Sequence, residues 1–180
     1  MERITYQGRI IEVVEEEIVQ GNTTKTFEYA RRSPGTRLVI PKGDTILLTR
    51  EFRSELGTYD YRLPGGKVFD TLKEYNEALA KGINILDAAR TAAIKEAREE
   101  TGSLVKGIDY LHTSVCGATV KWDLYYFIVR ELDSGEQSLE KGEDISVEFF
   151  DREKVRAMCL DGSISEERSA MVLLRYLSTS

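Results

Sequence analysis

The run Lys95-Glu96-Ala97-Arg98-Glu99-Glu100-Thr101-Gly102 gathers three carboxylates near the end of an Ala-rich segment. Residues 87 to 101 read as a helix, since Ala88, Ala89, Ala92, Ala93 and Ala97 all favour that state. Asp87 is the expected N-cap and Gly102 the expected stop. At about 100° per residue, Glu96, Glu99 and Glu100 share one face. Like charges at that spacing destabilise a helix by about 0.2–0.5 kcal/mol per pair, so the face calls for cations. Hard divalent metals held by carboxylate oxygens supply them, and Mg²⁺ commonly bridges carboxylates to substrate phosphates. The bland alternative is a solvated acidic face partnered by Lys95 and Arg98. The upstream Leu63-Pro64-Gly65-Gly66 and a downstream acidic loop, residues 136 to 144, weigh towards metal.

Composition narrows the classes. A chain of 180 residues with 41% hydrophobic and 31% charged residues suits one soluble domain with a small extension. No apolar run reaches the roughly 18 residues of a membrane span. The first residues carry no apolar signal core, so a cytoplasmic location is the expectation. A net charge of −6 argues against non-specific nucleic-acid binding. It still allows a small anionic substrate, because a bound metal reverses the local sign. Cys116 and Cys159 lie far apart and read as buried free thiols. His112, the one histidine, falls in an expected strand and reads as structural, which leaves no ligand set for zinc.

The elements that position the acidic face follow from pattern. Residues 3 to 20 alternate in part and read as one or two strands, followed by a Gly21-Asn22 turn and a returning strand from Thr24 to Arg31. This small antiparallel sheet has edges to cover, and dimerisation is one way to cover them. Strands are expected at 36–41 and 45–52 around a Lys42-Gly43-Asp44 turn. Residues 67 to 86 read as an insert with one helix of about ten residues, opened by a Thr71/Glu74 capping box and ended by Gly82. Its roles divide between a lid or specificity element and a neutral surface insertion. Further strands are expected at 104–105, 109–115, 120–132 and 145–150, with helices from Asp151 to about Leu160 and from Ser165 to Leu177. The order gives an α+β fold, a mixed sheet with helices on its faces.

Pro64-Gly65-Gly66 together with residues 87 to 103 resembles the signature of the Nudix hydrolases, G-x5-E-x7-R-E-U-x-E-E-x-G-U with U bulky and apolar. Asp87 stands for Glu, Lys95 for Arg, and Ala97 and Ser103 for bulkier residues. Twenty residues, 67 to 86, separate Gly66 from Asp87 where the signature has five. Outside the signature, residues 27–32, 48–53, 142–145 and 172–177 are similar to the branch that hydrolyses ADP-ribose and other nucleoside diphosphate sugars.

The resemblance implies an α/β/α sandwich over residues 34–180 and an N-terminal β extension over 1–33 that builds a homodimer. It implies Mg²⁺, with Mn²⁺ as a substitute, and a nucleotide-sugar substrate, most simply ADP-ribose cleaved to AMP and ribose 5-phosphate. Nucleoside triphosphates or other dinucleotides are the enzymatic alternative, and a nucleotide sensor without turnover the non-enzymatic one. Glu96, Glu99 and Glu100 would ligate metal, with a carbonyl of Gly65 or Gly66, while Lys95 would orient a neighbouring glutamate. Glu143, then Glu140, are the choices for a loop base, with Glu143 also a candidate ligand. Arg53 and Arg50 would meet phosphate or sugar, and the entry stretch contributes Arg31, Phe27 and Tyr29 as substrate contacts. Tyr61 and Trp122 are further surfaces on which a base could stack.

Overall fold

The computed structural model describes residues 2–139 and 141–179. It begins with β1 (Glu2–Gln7), β2 (Glu12–Gln20) and β3 (Thr23–Arg31). The next segment holds β4 (Gly35–Val39), β5 (Pro41–Lys42), β6 (Thr45–Arg53) and β7 (Thr58–Arg62). The helices α1 (Leu72–Ala80) and α2 (Ile85–Thr101) follow. Then come β8 (Ser103–Ser114), β9 (Val120–Lys121), β10 (Leu124–Ser134) and β11 (Ile145–Asp151), and finally α3 (Arg152–Asp161) and α4 (Glu167–Thr179).

Three sheets result. β1-β2-β3-β9 forms the N-terminal sheet, β4-β10-β8 a central one, and β11-β6-β5 with β7 on β6 the third. β4 and the first half of β10 are buried on both faces, which explains their apolar runs. Side chains alternate along a strand, so neighbours in sequence enter different cores. Leu38, Ile40, Leu47, Phe127 and Val129 pack against Ala89, Ala93 and Ala97 of α2. Val39, Ile46, Leu48, Tyr126 and Ile128 pack on the other side with Val155, Met158 and Leu173 of α3 and α4. This is an α/β/α sandwich of the α+β class. The alanines are 0% exposed and let α2 lie close to the sheet. Among the described residues, no helix is long and apolar enough to cross a membrane.

Several expectations shift. The cap of α2 is Asn84, whose Oδ1 accepts the Leu86 and Asp87 N–H groups at 3.0 and 3.4 Å. Asp87 sits instead in the first turn, where its charge still suits the helix dipole. The expected strand 120–132 divides at Trp122-Asp123. Val120–Lys121 pairs parallel with Ala30–Arg31, and Leu124 onward pairs with β4, so the chain changes sheet there. Trp122 is held at the crossing between Arg32 (4.2 Å) and Arg168 (5.1 Å). Residues 103 to 114 form one irregular strand rather than two. Cys116 is exposed and Cys159 only partly buried, because Cys116 lies in the loop after β8 rather than in a core strand. The insert helix has both halves of its capping box.

Candidate active site

The acidic end of α2 meets the loop that follows β7. Gly65 sits at φ 145°, a region that disfavours side chains, and a Cβ there would lie 2.1 Å from the Thr36 carbonyl. A Cβ on Gly66 would lie 2.0 Å from Glu96 Oε1, so glycine lets this carboxylate lie directly against the loop, and a larger residue would displace it. The loop is fastened to β4: Thr36 N–H donates to Gly66 O and Leu38 N–H to Pro64 O, each at 2.9 Å. In turn the Gly65 N–H donates to Glu100 Oε2 at 2.8 Å.

The C-terminal end of α2 also recruits the acidic loop. A helix leaves its last carbonyls without partners inside the helix. Here Ser138 N–H donates to Glu99 O at 3.0 Å and Gly135 N–H to Gly102 O at 2.7 Å. Gln137 Nε2 donates to Glu100 O. Gly102, at φ 68°, turns the chain away. Capping of the helix thus carries the loop, with Glu143, over the acidic face.

These elements enclose a cleft of about 310 Å³. The cleft gathers Gly65, Gly66, Lys95, Glu96, Glu99, Glu100 and Glu143 together with Arg53 from β6. Glu51, Lys67 and Asp70 also line it and were not singled out from sequence. The sequence carries a signal for the first two and none for Asp70. Strand alternation puts Glu51 on the face of Arg53, and Lys67 directly follows the glycines. Lys95 pairs with Glu99 at 3.2 Å and Arg53 with Glu51 at 2.7 Å.

Burial pushes the Glu100 carboxyl up to about 8, against the Gly65 hydrogen bond, with Glu96 adding to the rise. Burial also raises Glu51, with Arg53 opposing and Glu143 reinforcing. Among the described residues, no three acidic, imidazole or thiol side chains already converge into a formed metal site. The donor set nevertheless fits a hard divalent cation. It offers carboxylate oxygens, one of them buried at an electrostatic cost that a cation would relieve. The Gly66 carbonyl already accepts the Thr36 N–H, which leaves the Gly65 carbonyl as the candidate backbone donor.

Other sequence candidates lie elsewhere. Arg50 points to the opposite face of β6 from Arg53 and stacks over Tyr59 at 3.8 Å. Arg31 is 8% exposed and pairs with Glu12 and Glu2, each at 2.7 Å. Tyr29 is 2% exposed beneath Lys121, whose Nζ is 3.6 Å from the ring centroid. Phe27 packs near Tyr29, and Tyr61 meets Phe150 edge to face. None of these residues, nor Trp122, lines the cleft. Glu140 lies outside the described residues.

The fold is shared with a crystal structure described as an ADP compounds hydrolase, at a TM-score of 0.68 and 16% identity. The match covers 99% of this chain and 90% of that one. No curated protein matches the chain. The family described as the NUDIX domain matches residues 31–169, most of the chain and all of the cleft, and the chain therefore belongs to the Nudix hydrolase family.

Proposed function

We propose that this hydrolase cleaves the pyrophosphate linkage of a nucleoside diphosphate sugar, ADP-ribose first among them, giving AMP and ribose 5-phosphate. The observation that carries the reading is one cleft in which Glu96, Glu99, Glu100 and Glu143 face Arg53 and Lys67. Carboxylates alone would repel a pyrophosphate, and cations alone would bind it without activating water. The fold neighbour's description as an ADP compounds hydrolase supports an ADP-containing substrate.

Glu96, Glu99 and Glu100, with the Gly65 carbonyl, would hold Mg²⁺, or Mn²⁺ in its place. The bound metal would neutralise phosphate charge and lower the pKa of the attacking water. Arg53 and Lys67 would bind phosphate oxygens, Arg53 with a fork suited to bidentate contact. Lys95 holds the Glu99 carboxylate in place. Glu143, carried by the loop that caps α2, would accept the proton as water oxygen bonds to phosphorus and the bridging P–O bond breaks. The N-terminal sheet would pair two protomers, through exposed Tyr6, Ile10 and Val19. In that dimer Phe27 and its neighbours could face the partner's cleft.

A hydrolysis screen with Mg²⁺ and Mn²⁺ over ADP-ribose, GDP-mannose, other diphosphate sugars and nucleoside triphosphates tests the reading. Preference for a diphosphate sugar, yielding a monophosphate and a sugar phosphate, is expected. Preference for triphosphates, or nucleotide binding without turnover, would replace it. Glu100→Gln should lower turnover on the order of 100-fold or more while the fold persists, since even residues behind the ligands typically cost 10–100-fold.

A further inference from the structure

The insert is the part of the chain that the family signature does not contain, and it forms one rim of the cleft. Its first residues are fastened to the start of β4 and the strip before it. Lys67 bridges to Gly35, and Val68 N–H donates to Pro34 O at 2.9 Å. Ser33 Oγ accepts the Phe69 N–H at 3.2 Å and donates to Phe69 O at 3.0 Å. Asp70 comes next, and its position depends on α1. Its N–H donates to Glu74 at 3.0 Å, within the capping box that Thr71 and Glu74 complete.

The helix is then tied to a different part of the molecule. Asn76 Nδ2 donates to Glu12 Oε2 at 3.0 Å. Glu12 is 0% exposed and also accepts from Arg31 and Gln7, so it is a fixed acceptor. The other end of the amide, Asn76 Oδ1, is buried without a partner. Glu12 therefore orients this side chain. A surface insertion with no task would have no need of a buried polar tie to the N-terminal sheet.

We propose that Asn76 and Glu12 form a latch that positions Asp70 as a specificity-determining residue at the cleft rim. The idea rests on the functional reading above and names how the site selects within it. A carboxylate at the rim accepts hydrogen bonds from the hydroxyls of a neutral sugar and repels a third phosphate. The insert thus favours a diphosphate sugar over a nucleoside triphosphate. Asp70 is the residue that discriminates, and Asn76 acts through it.

The test compares ADP-ribose with ATP in wild type, Asp70→Asn, Asn76→Asp and the double variant. The readout is the ratio of kcat/KM values, or of Kd values where binding occurs without turnover. Asp70→Asn should cut the ratio about tenfold, through a higher KM for ADP-ribose and a lower one for ATP, as expected for lost binding discrimination. Asn76→Asp sets a second carboxylate against Glu12 and should cut the ratio similarly. The double variant should fall no further than Asp70→Asn alone, because the two act in series. Hydrogen exchange should rise across residues 70–80 in Asn76→Asp. Asn76→Ala serves if that variant does not fold. An unchanged ratio in Asp70→Asn, or additive losses in the double variant, overturns the proposal. If the wild type neither binds nor hydrolyses either nucleotide, the functional reading fails and the selection by Asp70 with it. The latch is then judged by exchange, and unchanged protection over 70–80 overturns it.

Discussion

Arg50 and Arg53 lie three positions apart on β6, and the pleat sends them to opposite faces. Arg53 reaches the cleft beside Glu51, while Arg50 covers Tyr59. Identical residue types thus have different tasks, and kinetics separate them. Arg53→Ala should raise KM for a diphosphate sugar about tenfold or more, the loss expected for a charged hydrogen bond. Arg50→Ala should leave KM unchanged and cost stability by about 0.5–1 kcal/mol, the usual worth of an exposed cation–π contact. Steady-state kinetics and thermal unfolding of both variants check this. A raised KM in Arg50→Ala would place that residue at the substrate instead.

The strand behind the glycine loop is held by a buried ion pair. Arg37 on β4 donates from Nε and Nη2 to both oxygens of Glu166, which precedes α4, at 3.0 and 2.9 Å. Burial opposes ionisation of Glu166, but the Arg37 charge and hydrogen bonds from Arg37 and Ser169 outweigh it and hold the carboxyl below its ordinary 4.5. Because the folded value is depressed, the stabilisation is fully present above the unfolded value. It is lost as pH falls below about 4.5 and through the folded value. Glu166→Gln leaves Arg37 buried without its counter-charge and should cost about 3–5 kcal/mol at neutral pH. The difference from wild type should shrink on acidification through that window. Denaturant unfolding at neutral and acid pH checks both the size and the trend, and a pH-independent difference would remove the pair as the cause.

At the scale of the whole molecule the chain joins a two-faced sandwich to an N-terminal sheet. β2 shows the join within one strand: Glu12 and Val14 are buried, and residues 17 to 20 are exposed. The β1–β2 hairpin leaves Tyr6 61%, Ile10 55% and Val19 71% exposed, apolar side chains that the proposed dimer would cover. Light scattering should give twice the 20.4 kDa of one chain, and Tyr6→Lys with Ile10→Lys should return the single-chain mass. A wild type that remains at the single-chain mass would remove the dimer.

Much of this is legible in the sequence. Alanine content and a C-terminal glycine located α2, the Thr71/Glu74 box located the insert helix, and alternation located most strands. These are local preferences, set by neighbours within a few residues. The acidic face and the paired glycines were legible for the same reason, since a helix fixes which of its own residues lie side by side. What lay beyond local pattern needed the tertiary structure. The break at Trp122-Asp123 arises from a change of sheet, and sheet pairing joins residues far apart in the chain. Tyr29 and Arg31 look like substrate contacts in a linear reading, but strand pairing buries them against Glu2, Glu12 and Lys121. Glu51, Lys67 and Asp70 acquire their place at the cleft only because three elements close on one point. Sequence alone determined which groups could bind metal and phosphate, because residue type carries that chemistry. The tertiary structure decided which of them face one another, because facing is a matter of long-range packing.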